Sequence, residues 1–309
     1  MMKRGKIKKN SSRRGKKRRH RNRTLGAVSS LEEYVPPDWW RRIFNAFYLK
    51  TDGDVVNDQH ITNHELDLFI EILKLSPDER ILDLCCGQGR HSLELARRGF
   101  LKVEGLDRSR YLVEKARAQA KKEGLEVRFR EGDARELHYT ANTFDVVLIL
   151  GNSFGYFEDI QDDMEVLKEV SRVLKPMGRL LIDVADGEYL REHFEKRSWE
   201  WIGNRHYVLR ERTLSKDRQR LISREIIAHI GNGIIRDQFY AERLYTREAL
   251  SELLRQAGFG DICIHGEVTP DSQRNQDLGM MERRIIITAV CMKELAPVQG
   301  EREKATMSS

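Results

Sequence analysis

Hydrophobic positions between residues 80 and 184 alternate between two periodicities, and this alternation predicts a parallel sheet flanked by helices. Short apolar runs alternate with stretches in which apolar residues recur every three or four positions. Phe144–Leu150 carries a nearly continuous apolar run, as a central strand buried on both faces requires. Strand, helix and strand repeated in this order predict a doubly wound sheet. The predicted strands are Arg80–Leu84, Lys102–Leu106, Val127–Arg130, Phe144–Leu150 and Arg179–Val184.

The pattern changes from about Trp199 to Tyr245, where apolar and polar residues alternate between turn-like segments. This period of two predicts antiparallel strands with one solvated face. A helix from Thr246 to Gly258 and strands at Asp261–His265 and Arg283–Val290 then complete the first sheet. The predicted fold is α/β, a doubly wound and mostly parallel seven-stranded sheet, with an antiparallel β insertion at residues 191–245 before the last helix.

The segments outside this pattern are two tails and a helical N-terminal region. A helix is predicted over Asp38–Leu49 and a second over Thr62–Leu73, both within N-terminal helices at residues 31–76. Residues 1–30 and 294–309 have few apolar positions, so both tails are predicted to be disordered. One domain of residues 31–293 remains.

The charge is concentrated in the N-terminal tail. The 309 residues carry 55 Lys and Arg against 49 Asp and Glu, a net charge of +6. Thirteen of the basic residues lie between Lys3 and Arg23, and the remaining 42 basic and 49 acidic residues give −7. A globally basic nucleic-acid-binding domain is therefore not supported.

Several other classes of protein are disfavoured by composition. No apolar run reaches the roughly 18–20 residues that span a bilayer, and the basic N-terminus lacks the apolar stretch of a secretory signal. Four cysteines without a CxxC pair indicate neither a disulfide framework nor a zinc site. His60 and His64 lack a third ligand, so no metal site is expected. A cytoplasmic location is predicted.

Three acidic residues follow or end successive strands, and glycines follow the first of these strands. Asp83 lies in Ile81–Arg90, whose Gly87 and Gly89 let a backbone approach a ligand closely. Asp107 ends the second strand and can accept hydrogen bonds from both hydroxyls of a ribose, and Asp133 follows the third. Because the carboxyl ends of parallel strands meet at one edge, these acids are expected to share a crevice.

These segments resemble the motifs of class I S-adenosylmethionine-dependent methyltransferases. LDLCCGQGR resembles the family's first motif, VEGLD the second and EGDA the third, and the later strands FDVVLILGNSFGYF and LKPMGRLLIDVAD fit its order. The resemblance covers Ile81 to Asp183, and the topology of the last helix and strands also fits. It implies S-adenosylmethionine as the cofactor and a last strand inserted antiparallel.

The resemblance also implies which residues contact the cofactor. The acids of the three motifs and the glycine loop would hold its methionine, ribose and adenine portions, with Arg108 over the adenine and Leu150 and Gly151 beneath the methionine. The implied cofactor-binding residues are Asp83, Gly87, Gly89, Arg90, Asp107, Arg108, Asp133, Ala134, Leu150 and Gly151.

Two positions depart from the family pattern. Cys85 replaces the first glycine of the loop, and Met177 replaces the first glycine of a Pro-Gly-Gly turn. Because cysteine disfavours positive φ, Cys85 is expected at ordinary backbone angles. A nicotinamide-dependent oxidoreductase is disfavoured because its fingerprint requires Gly or Ala where this chain has Ser92.

The loop after the fourth strand is expected to border the transferred methyl group. Enzymes that methylate planar amino groups carry Asn/Asp-Pro-Pro-Tyr/Phe there, whereas Ser153 and Phe154 follow Asn152 in this chain. GNSFGYF is closer to methyltransferases that act on N or O atoms of small molecules and whose insertion covers the site. The candidate substrate contacts are Asn152, Tyr156, His206, Arg210, Tyr240 and Tyr245. A general base is not identified.

Two alternatives to a small-molecule methyltransferase remain. In one, an RNA- or ribosome-associated methyltransferase uses residues 3–23 for phosphate contacts, and its binding would weaken with salt. In the other, the fold is a non-enzymatic binding scaffold, which the intact set of acids disfavours. The sequence leaves the oligomeric state open.

Overall fold

A computed structural model of the chain describes residues 24–268, 281 and 283–293. Its strands are β1 (Ile81–Leu84), β2 (Val103–Asp107), β3 (Arg128–Glu131), β4 (Phe144–Ile149), β5 (Leu174–Ala185), β6 (Arg197–Ile202), β7 (His206–Leu214), β8 (Arg220–His229), β9 (Gly233–Arg243), β10 (Phe259–Val268) and β11 (Arg284–Cys291). Its helices are α1 (Trp40–Ile43), α2 (Tyr48–Thr51), α3 (Gly53–Val56), α4 (Gln59–Leu73), α5 (Arg90–Arg97), α6 (Arg110–Glu123), α7 (Ile160–Val173), α8 (Gly187–His193) and α9 (Arg247–Gln256).

The central sheet has seven strands in the order β3-β2-β1-β4-β5-β11-β10. Strand β11 pairs antiparallel with both neighbours, whereas the other pairings are parallel. The predicted fold class is therefore confirmed, including the antiparallel last strand. Since β1 to β4 are parallel, their carboxyl ends meet at one edge of the sheet.

Both faces of this sheet are covered, which explains the apolar run of β4. Val147 and Ile149 pack among residues of α7 and α9, while Val146 and Leu148 pack among residues of α4 and α5. All four side chains are buried. A strand between two helical layers needs apolar residues at every position, not at alternate ones.

A second sheet forms from the insertion and has the order β6-β7-β8-β9, antiparallel throughout. We call it the lid sheet, because one of its faces lies over the carboxyl edge of the central sheet. Leu244 and Tyr245 join it to α9, and Gly187 of α8 packs against their backbone.

The predicted N-terminal helix over Asp38–Leu49 is wrong, because the chain breaks between α1 and α2. The side chain of Asn45 donates to Arg42 O (2.6 Å) and accepts from Phe47 N–H (2.8 Å). A side chain that hydrogen-bonds nearby backbone in this way competes with the helical ladder. The second helix begins at Gln59, three residues before the predicted start, because Asp58 caps it through His60 N–H (2.7 Å).

The predicted tails lie mostly outside the described residues, which exclude 1–23 and 294–309. The boundary at residue 30 is too late, since residues 24–30 contact the lid sheet. Asp237 accepts hydrogen bonds from Thr24 Oγ1 (2.9 Å) and Leu25 N–H (3.1 Å), and Val28 packs beside Phe239. Within the described residues, no helix is long and apolar enough to cross a membrane.

Candidate active site

Asp107, at the end of β2, fixes the loop that follows β1. Its Oδ2 accepts a hydrogen bond from Gly87 N–H (2.8 Å), and its Oδ1 accepts one from Ser109 N–H (2.7 Å). Burial raises the pKa of Asp107, and these two backbone donors partly offset the rise. The carboxylate therefore stands at the sheet edge with a fixed orientation.

Asp83 lies at the same edge, one strand away. Burial raises its pKa to about 6, although Ser92 Oγ donates to its Oδ2 at 2.5 Å and opposes the rise. Ser92 stands where a dinucleotide fingerprint needs Gly or Ala, and here its hydroxyl anchors the carboxyl group. Another side chain at that position would leave the buried carboxyl of Asp83 without this donor.

The loop between β1 and α5 reverses through three left-handed residues, Cys85 (φ 63°), Gly87 (φ 56°) and Gly89 (φ 78°). The expectation that Cys85 has ordinary backbone angles is wrong. The loop is fixed by Cys86 N–H donating to Leu106 O (3.0 Å), which leaves residue 85 in the left-handed region. A non-glycine residue there costs roughly 1–2 kcal/mol.

Gly87 and Gly89 have different roles. Gly87 lines both cavities described below, and a Cβ there would meet nothing closer than a methyl of Leu112 at 3.9 Å. A Cβ on Gly89 would lie 2.6 Å from the ring of Phe129, so its small size serves helix–sheet packing. Gly89 does not line either cavity, so its predicted contact with the cofactor stays a prediction.

A first cavity of about 810 Å³ lies at the ends of β2, β3 and β4, and we call it the edge cavity. Its lining includes Asp107, Arg108, Leu112, Asp133, Ala134 and Ile149. Its wall is mostly apolar between one carboxylate at Asp107 and another at Asp133. This combination suits a planar heterocycle carrying a diol.

Asp133 is held by a neighbour on its own loop. Arg135 donates to it through Nε (3.0 Å to Oδ1) and Nη2 (2.8 Å to Oδ2). Burial raises the pKa of Asp133, but these bonds from Arg135 outweigh it and the net pKa is lowered. The carboxylate is thus charged and immobile.

A second cavity of about 1280 Å³, counted to its open mouth, lies between the sheet edge and the lid sheet. We call it the lid cavity. It includes the predicted residues Asp83, Arg90, Leu150, Gly151, Asn152, Tyr156, Arg210 and Tyr240. The two cavities meet, since both are lined by Phe44, Tyr48, Cys85, Gly87, Ser153 and Tyr156.

Arg90 reaches the lid cavity from a buried ionic network that the sequence did not reveal. Glu65 on α4 accepts from Arg90 Nη1 (2.5 Å) and from Arg284 Nη2 (2.5 Å). Arg284 also pairs with Asp183, which in turn accepts from Gly151 N–H (3.0 Å). The network links α4, β5 and β11 beneath the glycine loop and so fixes Arg90.

Asn152 connects the two sheets. It adopts φ 59°, and its Oδ1 accepts from Ala185 N–H (3.0 Å) while its Nδ2 donates to Glu242 Oε1 (3.2 Å). Both ends of the amide are therefore used within the protein. Asn152 therefore positions the carboxyl group of Glu242 in the lid cavity.

Aromatic rings form much of the wall of the lid cavity. The ring centroid of Trp39 lies 5.2 Å from that of Tyr156 and 5.7 Å from that of Tyr240. The ring of Phe44 stacks on that of Tyr156 with their centroids 5.5 Å apart. Tyr48 packs edge-on against Phe44 at 5.1 Å. The segment from Trp39 to Tyr48 thus contributes to the cavity as well as to packing.

Arg210 lies in this cavity but is already paired. It forms an ion pair with Glu200, and its Nε donates to Glu225 Oε2 (3.2 Å). The other oxygen of Glu225, Oε1, accepts from Gln238 Nε2 (2.9 Å). Glu225 and Glu242 were missed from the sequence. The available signal was the strand period, since Gln238 and Glu242 share a face with the predicted Tyr240.

Two predicted substrate contacts lie elsewhere. His206 lines a shallow groove near Lys50, with its ring 4.9 Å from that of His229. Tyr245 is in the core, where its hydroxyl donates to Asp163 Oδ2 (2.7 Å) and its ring stacks on Phe154 at 5.5 Å. Neither residue lines the lid cavity, so the structure gives no support to either as a substrate contact.

Comparisons with known proteins agree with this geometry. Residues 81–178 match the family model described as a methyltransferase domain. The chain is 30% identical over 209 residues to a putative methyltransferase, YqeM, of Bacillus subtilis (strain 168), covering 66% of this chain and 83% of that protein. Other curated relatives, named demethylmenaquinone methyltransferases, match over only 40% to 64% of their own length.

Two solved structures share the fold. An S-adenosylmethionine-dependent methyltransferase from Clostridium acetobutylicum ATCC 824 superposes with a TM-score of 0.63 at 20% identity, covering 80% of this chain and 97% of that one. CalS10 of Micromonospora echinaspora, described as an amino pentose methyltransferase with its cofactor bound, gives 0.56 at 21% identity, covering 79% and 96%.

The fold and the strand-end acids define a Rossmann-like transferase with its site at the carboxyl edge of the sheet. The alignment with the Bacillus subtilis relative covers 83% of that protein. Together with the fold, it shows that the chain belongs to the class I S-adenosylmethionine-dependent methyltransferases. It is an enzyme, and S-adenosylmethionine is its cofactor.

Proposed function

We propose that this enzyme transfers a methyl group to an N or O atom of a small molecule. The observation that carries the proposal is the junction of the two cavities at Tyr48, Cys85 and Tyr156. One cavity suits a nucleoside, and the other is an open-mouthed cavity under the lid sheet. A reaction between the occupants of the two cavities would take place at this junction.

The edge cavity is the proposed site of the adenosine portion. Asp107 would accept from the ribose hydroxyls, the loop at Asp133 and Ala134 would contact the adenine edge, and Arg108 would cover its face. The methionine portion would extend into the lid cavity, past Gly87 and toward Arg90. The carboxylate pair and the apolar walls fit these groups in charge and shape.

S-adenosylmethionine would supply an activated methyl group, which the acceptor attacks in line with the departing sulfur. The protein's contribution is to hold acceptor and methyl in that line and to exclude water. Trp39, Tyr156 and Tyr240 form walls that would orient the acceptor, and the lid sheet covers the cavity. Asn152 fixes the lid sheet against the sheet edge.

The RNA- or ribosome-associated alternative remains a prediction. It depends on residues 3–23, which lie outside the described residues, and no observation on the described part of the chain favours it. The cytoplasmic location likewise remains a prediction, with which the four free thiols agree.

Calorimetric titration with S-adenosylhomocysteine tests the cofactor site. Replacing Asp107 by Ala removes the charged acceptor for the ribose, so we expect about a 10- to 100-fold weaker Kd. Asp67→Ala on the exposed face of α4 is the matched control and is expected to bind normally. Equal affinity of the Asp107 variant and the wild type would contradict the assigned ribose contact.

The acceptor is tested separately with small-molecule and RNA fractions of a cell extract. Each is incubated with the enzyme and S-adenosyl-[methyl-³H]methionine, and the products are identified by mass spectrometry. Label in the small-molecule fraction alone is the expected result. Label confined to RNA would refute the proposed acceptor class.

A further inference from the structure

A carboxyl group in the lid cavity, that of Glu242, has one oxygen without a hydrogen-bond partner among the described residues. Glu242 is only 8% exposed, and its Oε1 is occupied by Asn152 Nδ2. Its Oε2 is buried and makes no hydrogen bond to any described residue. Burying such an atom costs roughly 1–3 kcal/mol unless a ligand supplies the missing donor.

The orientation of this carboxyl is fixed from both sides. Asn152 cannot rotate without losing Ala185 N–H, and Glu242 sits in the regular part of β9 opposite Leu221 of β8. Oε2 is therefore held in the cavity lining and does not fold back onto the protein. This is the arrangement expected of a group that meets a substrate.

Charged and titratable groups from four other elements surround Glu242. Arg212 of β7 favours its carboxylate form, while Asp52 of the turn after α2 opposes it. Tyr48 of α2 and Tyr156 of the loop after β4 both interact electrostatically with Glu242. Since these two tyrosines line both cavities, Glu242 lies close to the junction where the methyl group would be transferred.

Together these effects bring the pKa of the Glu242 carboxyl group close to neutral pH. Burial raises the pKa of Glu242 to about 8, with Arg212 acting in the opposite direction. A proton acceptor works best when its pKa lies near the working pH. A bound ammonium would favour the carboxylate form, as any close opposite charge does.

Resting on the proposed function, we propose that Glu242 takes the proton from an amine acceptor, whose ammonium form the lid cavity binds. Aromatic faces at Trp39, Phe44 and Tyr240 suit a cation, which they attract through their ring quadrupoles. Arg210 pairs with Glu200 and Glu225, so its positive charge is neutralised and does not repel a bound cation.

The proposed step balances. An N–H bond of the ammonium breaks, its proton goes to Glu242 Oε2, and the electron pair stays on nitrogen. The neutral nitrogen then forms the N–C bond to the methyl group as the C–S bond breaks, and sulfur keeps that electron pair. S-adenosylhomocysteine and the N-methylated amine leave, and Glu242 releases its proton to water.

The experiment compares wild type with Glu242→Gln, Glu242→Asp and the exposed control Glu248→Gln. Initial rates of label transfer into the small-molecule fraction are measured from pH 6 to 10 at several dilutions of that fraction. General-base removal costs about 10²- to 10⁴-fold, so Glu242→Gln is expected to lose at least 100-fold in kcat. Glu242→Gln should also lose the rise of rate with pH that is expected of wild type. Glu242→Asp should keep part of the rate and part of this pH dependence.

Two readouts do not depend on turnover. Calorimetry with S-adenosylhomocysteine should give the same Kd for all four proteins, which shows that the variants fold. In protein labelled with ¹³C at glutamate carboxyls, a resonance missing from Glu242→Gln should titrate near pH 8. Titration of that resonance at an ordinary glutamate pKa would overturn the assignment.

The outcomes separate the two proposals. If wild type labels small molecules and Glu242→Gln keeps its rate and pH profile, only the role of Glu242 fails. Label found on oxygen in the product would overturn the amine assignment. If wild type binds S-adenosylhomocysteine but labels no small molecule, the proposed function fails, and this inference with it.

Discussion

Replacing Glu242 by Gln should make the enzyme's stability less dependent on pH. The pKa of Glu242 rises from 4.5 to about 8 on folding, chiefly because of burial. Between these values the native state holds a proton that the unfolded state has released. Wild type therefore loses stability as pH rises through this window, and the loss is complete above pH 8.

The magnitude follows from the pKa difference. One pKa unit corresponds to about 1.4 kcal/mol, so the full rise corresponds to on the order of 5 kcal/mol, of which roughly 3 kcal/mol is lost by pH 7. Gln keeps the hydrogen bond with Asn152 but cannot ionise. The free energy of unfolding of Glu242→Gln relative to wild type should therefore increase by this amount between pH 4.5 and 9.

Urea denaturation at 25 °C at several pH values across this window measures the difference directly. Groups other than Glu242 titrate equally in both proteins, so their contributions cancel. The exposed Glu248→Gln should follow wild type at every pH. Independent sites add to within about 0.5 kcal/mol. If the difference in unfolding free energy between Glu242→Gln and wild type stays constant across this pH range within that limit, the argument from burial is refuted.

Three further substitutions test other parts of the structure. Met177 is 59% exposed and adopts a left-handed backbone angle (φ 62°), so Met177→Gly relieves backbone strain. After the greater flexibility of glycine in the unfolded chain is subtracted, the melting temperature should rise by about 1–2 °C. A lower melting temperature would contradict the strain. Tyr245→Phe removes the donor to Asp163 and should cost about 1–3 kcal/mol of unfolding free energy, measured in urea. The rate of label transfer into the small-molecule fraction should stay unchanged, and a slower transfer would indicate that Tyr245 contacts the substrate. Glu65→Gln removes the carboxylate that pairs with Arg90 and is one of the two that pair with buried Arg284, and it should cost about 3–5 kcal/mol. A cost under 1 kcal/mol would show that the network relaxes around the change.

The fold was predictable because its signals are local. The apolar run of β4 reflects burial on both faces, and the alternation in β7 to β9 reflects burial on one. The failures have local causes that periodicity does not record. Asn45 has a side chain that substitutes for helical hydrogen bonds, and Cys85 accepts a left-handed angle because loop hydrogen bonds on either side require it.

The two halves of the candidate site differ in how much the sequence could show. The cofactor half is built from strand ends, so a residue's position at the end of a strand already places Asp107 and Asp133 at the same edge. The acceptor half depends on contacts between distant segments: Glu242 meets Asn152 across 90 positions of the chain. Strand periodicity places Glu242 on the face of Tyr240, but only the folded lid sheet brings that face over the cofactor crevice. We therefore expect specificity for the acceptor to depend on the insertion, so that changes there alter substrate choice while leaving cofactor affinity intact.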